Sequence, residues 1–174
     1  MFKQKMIVVL MGVTGSGKST IGKLLASRAG AVFADADDYH PPANKQKMAA
    51  GHPLNDEDRQ PWLETLNKLM QGWYKEGKNG VLACSALKQK YRDTLAAGIP
   101  HDSITFVWLD APEAVLAERL AERHHEFMNP ALLQSQLDTL EPPADALRIV
   151  NDRPPEQVVQ SILNKIPATN KTAL

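Results

Sequence analysis

The sequence is short of several things, and each shortage narrows what the protein can be. One cysteine, Cys84, in 174 residues leaves no intramolecular disulfide framework and no cysteine-rich zinc module. Neither sign of charge is in excess: 20 Lys plus Arg face 20 Asp plus Glu, for a formal net charge of zero. A general binder of nucleic acid or of an anionic membrane surface carries a basic surplus, so neither class is expected. Long apolar runs are also missing. The run Met6–Met11 gives way to glycines and Lys18, far short of the ~20 residues of a membrane span. It is too short for an export signal as well, and no small-x-small cleavage site follows it. A cytoplasmic protein with no membrane or nucleic-acid partner is expected.

What is present is an ordinary globular mixture, 43% hydrophobic and 23% charged, with the length of one domain and no internal repeat. That domain is expected to cover residues 1–166, with 167–174, small and polar, as a frayed tail. Short apolar runs alternate with amphipathic stretches. Met6–Met11, Ala31–Ala34, Val81–Cys84, Ile104–Leu109 and Leu147–Val150 read as strands. Lys18–Ala29 reads as a helix. Trp62, Leu63, Leu66, Leu69, Met70 and Trp73 share one face of another, with Asn55 as its candidate cap. Val115–Leu120 continues the pattern after Asp110-Ala111-Pro112-Glu113, and a closing helix carries Val158, Val159, Ile162, Leu163 and Ile166. Strands alternating with helices favour a three-layer α/β fold around a parallel five-stranded sheet.

Gly12-Val13-Thr14-Gly15-Ser16-Gly17-Lys18-Ser19 matches G-x-x-x-x-G-K-[ST] in full, between a buried strand and a helix. Glycines let the backbone wrap around an anion in conformations that a Cβ resists. The N–H groups from Val13 to Thr20, with the helix N-terminus, supply donors and partial positive charge. Lys18 is placed to reach the β- and γ-phosphates of ATP, and Ser19 to ligate Mg2+. The chain lacks the N-K-x-D and D-x-x-G signals of a GTPase switch, and its third strand runs into Cys84-Ser85 where a motor ATPase carries a Walker-B acid. A short chain with acids after its second strand and arginines on a later helix fits a small-molecule kinase.

The acceptor is indicated by a resemblance. Asp35-Ala36-Asp37-Asp38-Tyr39-His40-Pro41-Pro42-Ala43-Asn44, Lys47-Met48-Ala49-Ala50-Gly51, Pro53–Arg59 and Pro61-Trp62-Leu63 resemble the gluconokinase family. So do Cys84–Lys88, Tyr91-Arg92-Asp93 and Leu132-Leu133-Gln134-Ser135-Gln136, closing with Leu140-Glu141. The likeness runs from the phosphate loop to about Pro142. It implies ATP-dependent phosphorylation of D-gluconate on a nucleoside-monophosphate-kinase-like fold, in a homodimer. A kinase of another small hydroxy acid, such as shikimate, and a nucleotide-binding regulator without turnover are the alternatives.

A sugar hydroxyl is a poor nucleophile at neutral pH and needs a carboxylate to orient it and accept its proton. Asp37 is the candidate, with Asp35 holding Mg2+ through its water shell; the sequence leaves open which acid is the base. Arg59, Lys88 and Arg92 lie inside the matching motifs and are candidates for gripping the acid, with His40 as a neutral donor or acceptor or as a cap for the next helix. Arg119 and Arg123 fall where the family places its lid arginines, with the lid expected over about 124–136. Two cations there would offset charge on the transferred phosphoryl oxygens. The chain departs from the family at Arg123-His124-His125-Glu126-Phe127, where Glu126 takes the usual histidine position, and at Ala36, where glycine is usual. Cys84, ending an apolar strand, is expected to be a packed residue.

Overall fold

The computed structural model describes residues 5–122 and 130–166. Five strands, β1 (Ile7–Met11), β2 (Val32–Asp35), β3 (Gly80–Ala83), β4 (Ile104–Asp110) and β5 (Leu147–Val150), form one sheet in the order β2-β3-β1-β4-β5. Every neighbouring pair is parallel. The described helices are α1 (Lys18–Ala29), α2 (Pro42–Ala49), α3 (Asp56–Lys75), α4 (Gln89–Ala96), α5 (Glu113–Glu122), α6 (Pro130–Thr139) and α7 (Pro155–Lys165).

The continuous apolar character of β1 follows from its place at the centre of the sheet, where both faces are covered. Val8 and Leu10 pack with Ile21 and Leu25 of α1 and with Val158, Val159 and Ile162 of α7. Ile7, Val9 and Met11 pack on the opposite side with Trp62, Leu63, Leu66 and Met70 of α3 and Leu95 of α4. A smaller cluster of Val13, Leu87, Leu116, Leu120 and Leu133 joins the loops at the carboxyl edge to α5 and α6.

Helix α3 starts where its acids begin. Asn55 Oδ1 accepts from Asp58 N–H at 2.8 Å and Asp58 Oδ2 accepts from Asn55 N–H at 2.9 Å, a reciprocal cap. Pro112 lies just ahead of α5 rather than inside its first turn; its carbonyl accepts from Leu116 N–H at 3.0 Å. His40 does not cap α2. Pro41 holds that position with no side-chain bond, and His40 stacks on Trp62 instead, with ring centroids 4.1 Å apart.

The parallel sheet brings the ends of distant segments to one edge. Gly12 follows β1, Asp35 ends β2, Cys84 follows β3 and Asn151 follows β5. Main-chain bonds stitch them: Gly12 N–H to Ser85 O at 3.2 Å, Cys84 N–H to Leu10 O at 3.0 Å, and Asn151 N–H to Asp110 O at 2.7 Å. This carboxyl edge is where an open α/β sheet binds its ligands.

Candidate active site

The loop after β1 has its carbonyls tied down one by one. Lys18 Nζ donates to Gly12 O at 2.9 Å and to Val13 O at 3.0 Å. Arg119 Nη1 donates to Gly15 O at 3.1 Å, Asn151 Nδ2 to Ser16 O at 2.7 Å and Ile21 N–H to Gly17 O at 2.9 Å. In a trans peptide the N–H points away from the carbonyl, so fixing the carbonyls also fixes where the loop's donors point. Two glycines are sterically required for this shape. Gly17 has φ +95°, and a Cβ there would stand 2.4 Å from Asn151 Nδ2; one on Gly12 would stand 2.6 Å from Leu109 O.

Asp35 ends β2 and caps the 3-10 turn Ala36–Tyr39. Its Oδ1 accepts from Asp37 N–H at 3.0 Å and its Oδ2 accepts from the Ser19 hydroxyl at 2.7 Å. Two hard oxygen donors side by side next to the phosphate loop suit Mg2+, which binds through one or two protein oxygens and keeps several waters.

Asp37 makes no such commitment to Ser19. It opens onto the cavity, and its carboxyl is held above the usual aspartate range, first by desolvation and then by the like charge of Asp35, with Lys18 opposing. The two acids are thereby distinguished. Asp35 is engaged as an acceptor of two hydrogen bonds, while the Asp37 carboxyl lines the cavity with its pKa raised.

These groups share a cavity of about 620 Å3 lined by the loop from Thr14 to Thr20, by Asp35 and Asp37, by Ala83-Cys84-Ser85, and by Glu122 and Gln136. Cys84 is buried there, and burial pushes its thiol up to about 12. It is a wall residue with no thiolate chemistry at neutral pH.

The cations expected to hold the acid gather at the start of α3 and α4. Lys88 Nζ donates to Asp56 Oδ1 at 3.3 Å, and Arg59 Nη1 to the Tyr91 hydroxyl at 3.2 Å. Lys90 and the Tyr91 hydroxyl also bond to Asp56. These donors hold the Asp56 carboxyl far below the usual range. His40 stacks on Trp62, whose indole N–H donates to Ala36 O at 2.7 Å, and its Nδ1 lies 3.3 Å from Asn44 Nδ2. Partial burial and the positive charges of Arg59 and Lys45 favour its neutral form.

Two expected cations are placed differently. Arg92 is buried at 3% exposure and makes four hydrogen bonds: to Ala86 O at 2.7 Å, to Glu141 O at 2.9 Å and twice to Gln89 Oε1. It clamps the loop after β3, including Ala86 at φ +47°. Arg119 ties Gly15 O to Asn151 O, the latter at 2.9 Å, so its contact is with the phosphate loop's outer side. Arg123 and most of the expected lid, including Glu126, lie outside the described residues. Two residues join the site that are not among the candidates above: Asn151, just past the fifth strand, and Gln136, which closes the Leu132–Gln136 stretch of the resemblance but has no role assigned by its residue type.

A protein-family model described as an AAA domain matches residues 7–143. A probable gluconokinase of Dictyostelium discoideum is 47% identical over 83% of this chain and 74% of that protein. The thermosensitive gluconokinase of Escherichia coli K12 is 48% identical over 82% of this chain and 75% of its own. The crystal structure of a gluconokinase from Sinorhizobium meliloti 1021 superposes with a TM-score of 0.82 at 39% identity, covering 93% of this chain and 91% of that one. Sequence likeness over most of the chain and a shared fold agree: the chain, with its phosphate loop, belongs to the gluconokinase family of P-loop kinases.

Proposed function

We propose that the protein transfers the γ-phosphoryl group of ATP to the terminal hydroxyl of D-gluconate, giving 6-phospho-D-gluconate and ADP. The observation that carries this reading is the meeting, in one cavity, of a pinned phosphate loop, the Ser19–Asp35 oxygen pair and an Asp37 of raised basicity. Family membership selects the acid.

In this reading the N–H groups of Gly15 and of Gly17 to Thr20 cradle the β- and γ-phosphates, Thr14 N–H stays with Gln136 Oε1, and Lys18 exchanges its bonds to Gly12 O and Val13 O for phosphate oxygens. Bound at Ser19 and Asp35, Mg2+ supplies charge neutralisation on the phosphates. Asp37 orients the gluconate hydroxyl and accepts its proton as that oxygen bonds to the γ-phosphorus and the bond to the bridging oxygen of ADP breaks. Arg59 and Lys88 meet the gluconate carboxylate, exchanging contacts with Tyr91 and Asp56, and His40 serves the hydroxyls as a neutral partner. Arg119 positions the loop, and Arg123 is the candidate cation over the transferred group. Arg92 acts indirectly, by shaping the chain between β3 and α4 that carries Lys88. A homodimeric assembly, a cytoplasmic setting and a single domain over 1–166 complete the proposal.

The test is ADP release from Mg·ATP with no acceptor, D-gluconate, shikimate or L-idonate. Release with gluconate, lost in Lys18→Ala, is expected. ATP binding with equal, low release in every mixture would contradict the kinase reading and leave a nucleotide-binding protein.

A further inference from the structure

Gln136 on α6 has no part in the reaction as described, yet two observations put it at the phosphate site. Its Oε1 accepts from Thr14 N–H at 2.6 Å, and it lines the same cavity as Lys18, Ser19 and Asp37. A main-chain N–H bonds only to the oxygen end of a carboxamide, so this contact settles which end is which. Nε2 is attached to the same carbon of a side chain that lines the cavity. Among the described residues it has no acceptor. A neutral donor held rigidly beside a loop built for anions is suited to a phosphate oxygen.

We propose that Gln136 is a contact for the terminal phosphate: Oε1 stays locked on Thr14, and Nε2 donates to an oxygen of the γ-phosphoryl group. The inference rests on the reading of this cavity as the ATP site. It gives α6 a means of distinguishing the triphosphate from the diphosphate, because ADP has no γ-phosphate to accept the bond.

The test compares dissociation constants for Mg·ADP and a non-hydrolysable Mg·ATP analogue in wild type, Gln136→Met and Gln136→Glu, with the melting temperature of each protein. Gln136→Met is expected to weaken the triphosphate roughly 10-fold while ADP stays within about twofold. Gln136→Glu keeps an acceptor for Thr14 but replaces the donor with an anion, so its loss is expected to be larger. A Gln136→Glu protein with the wild-type ratio would overturn the proposal, leaving Gln136 as a partner of Thr14 only. Equal weakening of both nucleotides would overturn it as well, reducing Gln136 to a support for the loop. Tighter triphosphate binding by Gln136→Met would overturn it by making Gln136 a competitor for the Thr14 N–H.

ADP release by the same wild-type preparation with D-gluconate separates the two claims. A protein that binds nucleotide but does not turn over fails as a kinase while the affinity ratio still reports on Gln136. One that binds neither nucleotide overturns both.

Discussion

At the scale of single residues, the central distinction is between two aspartates two positions apart. The sequence offers Asp37 as the base and Asp35 for Mg2+ but leaves the assignment open, because residue type and spacing carry no information about which oxygen meets which donor. The structure separates them through the Ser19 hydroxyl on Asp35 and the desolvated carboxyl of Asp37. A base must be deprotonated to act, so the rate constant kcat/KM for gluconate is expected to fall as pH drops through a pKa above the ordinary aspartate range. A profile that stays level across that range would show that another group controls the rate. Arg92 illustrates the opposite limit of residue-level reading. Its motif was recognisable, but whether a guanidinium faces a ligand or main-chain carbonyls is decided by the path of the loop after β3.

At the scale of elements, legibility followed hydrophobic period and cap chemistry. The run Met6–Met11 placed β1, and the apolar face from Trp62 to Trp73 placed α3, with Asn55 correctly marking its start. Helices α2 and α4 were far less legible, being about two turns long with few apolar positions; they are held by tertiary contacts. Such contacts include Asn67 Nδ2, which donates to Leu95 O and Ala97 O at the end of α4, at 2.8 and 2.7 Å. Since α3 covers one face of the sheet, its core side should matter more than its cap. Leu66→Ala, at a fully buried site, is expected to cost about 2–5 kcal/mol of unfolding free energy. Asn55→Ala, which removes half of the reciprocal cap, should cost about 1 kcal/mol. Denaturant unfolding of the two variants checks the order, and a cap variant as damaging as the core one would contradict it.

At the scale of the whole molecule, the parallel α/β architecture followed from the alternation of strands and helices, but the strand order did not. Order depends on which crossover packs on which face, and local patterning is silent on that. The same limit explains the missed parts of the site. Asn151 reaches Ser16 across 135 positions of sequence, and Gln136 reaches Thr14 across 122. Only the assembled sheet brings these residues to the loop, whereas the loop itself is a local motif and was read whole. The site is therefore a local anion cradle whose geometry is enforced by distant segments, and its proposed chemistry depends on acids delivered by β2. The most direct measurement is phosphorus NMR of the wild-type protein and Asp37→Asn, each incubated with Mg·ATP and D-gluconate. The account predicts a new phosphomonoester signal equal in amount to the ADP formed by wild type, and none above background with Asp37→Asn. Inorganic phosphate in place of the ester, or an undiminished ester signal from Asp37→Asn, would contradict it.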